Sequence, residues 1–213
     1  MQIRNNIRRL LQYRMCLIRF RELGFERVYS YSLGREAGVS PEQIRKDFSR
    51  FGIKGNKRGG YLISELLDSL NYIFGKNELQ DVILIGVGNI GMALARYNCG
   101  FFKRRKYIVA GFDIDPSKIR KINEIPVLPM EVMPRFVKEN GITVGIMAVP
   151  AITAQEVCNS LVNAGIKGIM NFAPIVLKAP KHVVIENINL CNVLESVIYC
   201  ANYARDDLGV LEC

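Results

Sequence analysis

The chain has 213 residues, enough for one large domain or two small ones with a buried core. Its composition is ordinary for a globular protein, and no apolar stretch approaches the roughly 18 residues of a membrane-spanning helix. The net charge of +9 is concentrated in residues 1–75, which hold 14 Lys/Arg against 7 Asp/Glu. We therefore expect no membrane partner and a nucleic-acid partner for the basic part, with a solvated basic face as the alternative.

The cysteines and the N-terminus indicate the compartment. The six cysteines show no metal-binding spacing, and His182 is the single histidine. We predict neither a metal site nor a disulfide framework, and we expect most of the cysteines to be buried thiols. The N-terminus is basic and lacks the continuous apolar core of a secretory signal, which favours a cytoplasmic protein.

Three helices are predicted at the start of the chain. The first carries apolar residues at helical spacing and ends at Gly24, and the second covers residues 31–37. The third opens at Ser40, a good N-cap, with Pro41 at its first position and Gln43 completing a capping box. Two short helices joined by a glycine-containing turn are typical of a helix-turn-helix motif.

The third helix and the segment after it carry the positive charge. One side of that helix is polar, with Arg45, Lys46, Ser49 and Arg50. The other side is apolar and docks the helix, with Ile44, Phe48 and Phe51. Residues 52–61 hold four glycines and three cations, which predicts a basic hairpin, or wing. A wing beside a recognition helix usually meets the DNA backbone or the minor groove, and a flexible loop without a partner is the alternative.

Strands and helices alternate in the second part of the chain. A connecting helix over residues 62–74 leads to strands at 82–86, 107–112, 142–148, 166–170 and 183–185, with helices at 90–97, 130–139 and 153–163 between them. This alternation predicts a parallel sheet with helices on both faces. A last helix, over residues 190–208, is apolar on more than one face, so it requires a partner surface within or between subunits.

A glycine fingerprint, Gly86-Val87-Gly88-Asn89-Ile90-Gly91, follows the first of these strands. Such a turn brings backbone N–H groups to a pyrophosphate at a helix N-terminus. Asp113, 22 residues after Gly91, is placed to accept the ribose hydroxyls, which favours NAD(H) over NADP(H). Asp115 is interpreted as a turn or cap residue.

Two further strand ends are candidates for a nicotinamide pocket. Val149 and Pro150 follow one strand, and Asn171 ends the next, although each is also compatible with a plain proline-stopped strand end. No acid–base constellation stands out along the chain. A binding protein without catalysis is therefore favoured over an oxidoreductase.

Several blocks of residues follow one another in a specific order along the chain: Gln43 to Ser49 with Phe51-Gly52, Gly60-Tyr61, Gly86 to Gly91, Ala95, Tyr97, Phe112 to Pro116 and Ala164 to Pro174. In these blocks the chain resembles the Rex family of redox-sensing transcriptional repressors over nearly its whole length. The resemblance implies an α/β chain with a winged helix-turn-helix domain (1–76), a Rossmann NAD(H)-binding domain (77–188) and a domain-swapped C-terminal helix and tail (189–213).

The resemblance also implies a mechanism. Family members are homodimers that bind a palindromic operator in double-stranded DNA when NADH is scarce and release it on binding NADH, with NAD+ competing for the same site. The residues predicted to contact DNA are Ser40, Gln43, Arg45, Lys46, Ser49, Arg50, Lys57, Arg58, Gly60 and Tyr61. The residues predicted to bind the cofactor are Gly86, Gly88, Asn89, Ile90, Gly91, Tyr97, Asp113, Val149, Pro150 and Asn171.

The chain departs from the family pattern at several positions. Arg58 replaces a wing glycine and Arg50 replaces a tyrosine, while Met15 and Asn189 stand where relatives often carry an arginine and an aspartate that form an ion pair. These departures favour DNA binding more than redox responsiveness. The alternative functions are a nucleotide-binding regulator that acts by protein contacts and an NAD-dependent oxidoreductase.

Overall fold

A computed structural model describes residues 2–54, 59–75, 81–97 and 107–203, which divide into two compact units, Met1–Leu79 and Gln80–Cys213. The first unit contains helices α1 (Gln2–Glu22), α2 (Ser30–Ala37), α3 (Pro41–Arg50) and α4 (Ile63–Ile73). Strands β1 (Arg27–Val28) and β2 (Tyr61–Leu62) pair antiparallel. Apolar side chains from all four helices form its core: Leu10, Tyr13, Leu17, Leu33, Ile44, Phe48, Ile63, Leu66, Leu67 and Leu70.

The turn between α2 and α3 follows the predicted pattern. Gly38 ends α2 at φ +64°, and its N–H donates to Gly34 O. Gly34 also lies against the turn, because a Cβ there would come within 2.7 Å of Val39 O. Ser40 caps α3 by accepting from Gln43 N at 3.2 Å. In a full capping box the Gln43 side chain would turn back to the Ser40 N–H. Here it donates through Nε2 to Asp47 Oδ1, so that half of the prediction is wrong.

Seven strands of the described residues form the sheet of the second unit, in the order β5-β6-β4-β3-β7-β8-β9. They are β3 (Val82–Ile85), β4 (Ile108–Asp113), β5 (Lys121–Ile122), β6 (Ile125–Pro129), β7 (Val144–Met147), β8 (Gly168–Asn171) and β9 (Val184–Asn187). All neighbours pair in parallel except β5 with β6. The predicted parallel sheet is confirmed, and β5 and β6 are additions to it.

Helices cover both faces of this sheet, as predicted. Helices α6 (Met133–Glu139) and α7 (Ala151–Ala164) pack in one apolar cluster with residues such as Ile83 and Phe112. Helix α5 (Asn89–Tyr97) packs on the other face with Leu84 and with Ile125 of the β5–β6 hairpin. Because successive strand residues face opposite sides, Ile83 and Leu84 belong to different layers.

The last described element is helix α8 (Leu190–Tyr203). Its apolar side chains are 49–62% exposed in this single chain: Leu190, Val193, Leu194, Val197, Ile198 and Tyr199. The expectation that most cysteines are buried holds for Cys158 but is wrong for Cys191, which is exposed on this helix. Among the helices of the described ranges, none is long and apolar enough to cross a membrane.

Candidate functional site

A cleft of about 710 Å³ opens at the carboxyl ends of β3, β4 and β7. The chain order reverses here, since β4 lies on one side of β3 and β7 on the other. Doubly wound sheets bind their ligands at such a switch point. Seven of the predicted cofactor-binding residues line the cleft: Gly86, Gly88, Asn89, Ile90, Asp113, Val149 and Pro150.

The three glycines of the fingerprint have different surroundings. Gly86 has φ +84°, and a Cβ there would come within 2.5 Å of Ala148 O. A Cβ at Gly91 would collide with Gly86 O, so this glycine lets α5 pack against the loop. A Cβ at Gly88 would meet nothing within 4 Å, so this position faces open space in the cleft. A phosphate can therefore approach the backbone at Gly88 and the N-terminus of α5.

The buried carboxylate of Asp113 ties the glycine loop to β4. Its Oδ2 accepts from Val87 N at 2.7 Å, and its Oδ1 accepts from Asp115 N at 2.9 Å. The residue is 7% exposed and still lines the cleft. Each carboxylate oxygen can accept more than one hydrogen bond, so Asp113 can hold the loop and receive a ribose hydroxyl as well.

A lysine that the sequence analysis missed lies beside Asp113. Lys118 lines the cleft, with its Nζ 3.5 Å from Asp113 Oδ2 and 3.7 Å from Asp115 Oδ2. Asp115 caps a short 3₁₀-helix, Pro116–Lys118, as interpreted from the sequence. Hydrogen bonds from the Ser117 hydroxyl and N–H hold the pKa of Asp115 below its ordinary value. The signal that could have identified Lys118 was the Asp115-Pro116 pair, because it predicts a short turn that begins directly after the Asp113 strand and ends at Lys118.

The opposite wall of the cleft comes from β7 and α7. Val149 and Pro150 line it as predicted, and Thr153, Glu156 and Val157 of α7 line it as well. The sequence analysis missed these three. A helix that begins directly after Pro150 at the carboxyl edge of the sheet was the signal that could have identified them.

Three residues predicted to bind the cofactor do not line the cleft: Gly91, which packs against the loop as described above, Tyr97 and Asn171. Tyr97 ends α5, about 12 Å along the helix axis from Asn89. Asn171 is fully buried at the end of β8, where its side chain bonds to Ala173 N and O, Ile175 O and the Asn187 side chain. Asn171 therefore shapes the loop after β8 in this chain, and its contact with a dinucleotide, like that of Tyr97, stays a prediction.

In the first unit, α3 presents its polar residues to solvent. Arg45, Lys46, Ser49 and Arg50 are exposed, while Ile44 and Phe48 are buried against the other helices. Arg45 Nη1 donates to Ser30 Oγ at 3.0 Å, and its Nη2 donates to Glu42 Oε1 at 2.7 Å. These bonds use two of the five N–H donors of the guanidinium, so the others remain for a base or a phosphate.

The base of the predicted wing is anchored in the core. The Tyr61 ring packs edge-on against Phe48, with ring centroids 5.2 Å apart, and burial raises the pKa of Tyr61. Gly60 has φ +65°, and a Cβ there would come within 2.7 Å of Val28 O. β2 pairs with β1, a partner that the sequence analysis missed. The predicted contacts Lys57 and Arg58 lie outside the described residues.

The two positions of the missing ion pair carry no charge. Met15 is exposed on α1. Asn189 Oδ1 accepts from Asn192 N at 3.0 Å, so its side chain caps the start of α8. An aspartate at position 189 would cap the helix equally well, and it is the charge that this chain lacks.

Comparisons with known proteins match the two units of the chain to two different families. Residues 4–49 match the family described as the N-terminus of putative DNA-binding proteins, and residues 77–175 match the CoA-binding domain family. The chain is 42% identical over 201 residues to the redox-sensing transcriptional repressor Rex of Carboxydothermus hydrogenoformans, covering 94% of this chain and 95% of that protein. It is 39% identical to the Rex repressor of Clostridium perfringens over 92% of this chain and 93% of that one.

Solved structures lead to the same family. RSP, a Rex-family repressor, is 37% identical to this chain. Its complex with NAD+ and operator DNA has a TM-score of 0.86, covering 93% of this chain and 91% of RSP, and its complex with NADH has a TM-score of 0.83, covering 93% of both chains. By sequence and by structure, the chain belongs to the Rex family of redox-sensing transcriptional repressors.

Proposed function

We propose that this chain is a homodimeric repressor that binds a palindromic operator in double-stranded DNA and releases it when NADH binds. One observation carries the proposal: a single chain combines two sites. One is an exposed basic helix in a helix-turn-helix, and the other is a cleft lined by the glycine fingerprint and by Asp113. The solved complexes of RSP with NAD+ and operator DNA and with NADH support both halves.

The DNA contacts are assigned to α3 and to the wing. Arg45, Lys46, Ser49 and Arg50 lie on the exposed side of α3, where they can reach base edges and phosphates in a major groove. The cations of the wing, Lys57 and Arg58, are assigned to the backbone or the adjacent minor groove. A partner of this kind explains why 7 of the 9 net charges fall in residues 1–75.

The cofactor is assigned to the cleft as an effector that undergoes no reaction. Its pyrophosphate lies at Gly88 and the start of α5, its adenosine ribose at Asp113, and its nicotinamide towards Val149 and Pro150. Among the described residues that line the cleft, the ionisable groups include Lys118, whose ammonium lies within ion-pair distance of both Asp113 and Asp115. These groups support binding more than proton transfer to a substrate.

The dimer is assigned to α8. A 14-residue helix with six apolar side chains about half exposed is unstable in water without a surface to cover it. We assign that surface to the second subunit, into which the helix is swapped. A Val197→Glu change places a charge on this apolar face and should give monomers in analytical ultracentrifugation. Glu195→Gln on the same helix is the matched control and should stay dimeric.

The test of the function begins by selecting binding sites from a randomised duplex library with the whole protein. Fluorescence anisotropy then measures the affinity for a labelled selected duplex at several salt concentrations, alone and with NADH or NAD+. We expect two-fold symmetric sites, a steep salt dependence, and release by NADH at concentrations where NAD+ has little effect.

Two outcomes would contradict the proposal. Binding that ignores both cofactors would show that the cleft does not control the DNA-binding unit. The absence of any selected sequence, in a protein that binds NADH, would favour a regulator that acts by protein contacts.

A further inference from the structure

The recognition helix α3 carries a carboxylate on its buried side. Asp47 is 2% exposed, although its neighbours Arg45 and Lys46 face solvent. Arg9 of α1 donates to it through two nitrogens, Nε to Oδ2 and Nη2 to Oδ1, both at 2.7 Å. Tyr13, one turn further along α1, donates its hydroxyl to Oδ2 at 2.8 Å. The carboxylate therefore joins α3 to two successive turns of α1.

The cluster is fully bonded and charged. Gln43 Nε2 donates to Asp47 Oδ1 at 2.8 Å, and Arg9 Nη2 also donates to Asn6 Oδ1 at 2.7 Å. Burial by itself would raise the pKa of Asp47, but the hydrogen bonds from Arg9, Tyr13 and Gln43 outweigh it and lower the pKa. No buried side-chain nitrogen or oxygen of the described residues lacks a hydrogen-bond partner.

The hydrogen bonds to Asp47 restrict the rotation of α3 about its axis, which the apolar contacts of this helix do less strictly. Ile44 and Phe48 hold the helix to the core through non-directional packing, which tolerates small rotations about the helix axis. A rotation of about 20° would move groups at the helix surface by about 2 Å, more than a hydrogen bond to a base edge tolerates. The bidentate Arg9 contact and the Tyr13 contact restrict that rotation, because each requires one orientation of the carboxylate.

We propose that Asp47, held by Arg9 and Tyr13, is a positioning residue for operator recognition that fixes the rotation of α3 so that its exposed residues meet the base edges. Along a helix each residue advances by about 100°, so Arg45 and Ser49 lie some 200° around the axis from Asp47. The cluster thus sets the direction of the DNA-facing side from the opposite side. The inference rests on the proposed DNA-binding function.

The test compares specific with non-specific binding, because positioning affects only the specific part. Contacts to phosphates depend mainly on charge, whereas contacts to bases depend on the orientation of α3. Asp47→Asn keeps the size of the side chain but removes its charge, and Tyr13→Phe removes a single hydroxyl. The matched control is Glu36→Gln, which makes the same charge change in the same unit and breaks the Arg19–Glu36 ion pair (2.8 Å) between α1 and α2.

Anisotropy titrations of the whole protein with the selected operator and with a scrambled duplex give the ratio of the two affinities. They are done at one salt concentration and at a temperature where circular dichroism shows each variant folded. We expect Asp47→Asn to lower the ratio at least tenfold and Tyr13→Phe to lower it several-fold, with affinity for the scrambled duplex kept. Glu36→Gln should leave the ratio at the wild-type value.

A folded Asp47→Asn variant with the wild-type ratio would overturn the inference, since the cluster would then only stabilise the fold. If Asp47→Asn does not fold, Tyr13→Phe decides in the same way, and an unchanged ratio overturns the inference. A wild-type protein that does not distinguish the two duplexes would instead refute the proposed function.

Discussion

Replacing the fingerprint glycines one at a time should separate cofactor binding from folding. In Gly88→Ala the new Cβ meets nothing within 4 Å, so the free protein should keep its stability or gain about 0.4–1 kcal/mol from a less flexible unfolded chain. In Gly86→Ala the new Cβ comes within 2.5 Å of Ala148 O at φ +84°, and we expect a loss of about 2–4 kcal/mol. The two changes add the same methyl group two residues apart.

Gly88→Ala should weaken NADH binding although it leaves the fold intact. The Cβ at position 88 occupies the space through which a phosphate approaches the backbone, so NADH affinity should fall at least tenfold, which is about 1.4 kcal/mol. Urea unfolding of the cofactor-free protein measures stability, and fluorescence titration with NADH measures affinity. If Gly88→Ala binds NADH as the wild type does, the pyrophosphate does not pass this loop, and the assignment of the cleft is wrong.

Three further predictions concern single carboxylates. Asp113→Ala removes the acceptor of Val87 N, so urea unfolding should show a loss of stability of about 1–3 kcal/mol. The same change should weaken NADH binding, and an unchanged NADH affinity would place the ribose elsewhere. Glu42→Gln removes the negative charge that is paired with Arg45 on the DNA-facing side, so anisotropy should show binding to any duplex tightened a few-fold. Weaker binding would mean that Glu42 itself contacts DNA. The pKa of Asp47 is lowered by folding, so its charge stabilises the fold at neutral pH and that stability is lost as the pH falls from about 4 through the folded pKa. Urea unfolding of wild type against Asp47→Asn between pH 3 and 6 should give a difference that shrinks with acid, and a constant difference would contradict the assignment.

Local rules predicted much of this fold from the sequence. The turn glycine Gly38, the cap Ser40 and the strands β3, β4, β7, β8 and β9 were predicted because each depends on a few neighbouring residues. Strand β6 was missed because Pro126 and Pro129 are unusual in strands. The turn before it, Asn123-Glu124, has positive φ at both residues but lacks the glycine that usually marks such a turn.

The candidate site was predicted in the same uneven way. The fingerprint and Asp113 follow from spacing, and Asp113 lines the cleft together with Gly86, Gly88, Asn89 and Ile90 of the fingerprint. The Asp47 cluster was missed because its partners Arg9 and Tyr13 lie 38 and 34 residues away, and no local pattern connects them. Asp47 did carry a signal, since a carboxylate between Ile44 and Phe48 lies on the apolar side of its helix and burial requires a partner.

The two buried carboxylates have one thing in common. Asp47 fixes the recognition helix to α1, and Asp113 fixes the glycine loop to β4, both through hydrogen bonds already made in the free chain. Each binding element is therefore held in its own unit before any ligand arrives, and ligand binding need not order it. A response of the DNA-binding unit to the cofactor can then pass through contacts with the second subunit proposed above. The exposed apolar side of α8 is such a contact, because a second subunit can cover it differently in the two cofactor states.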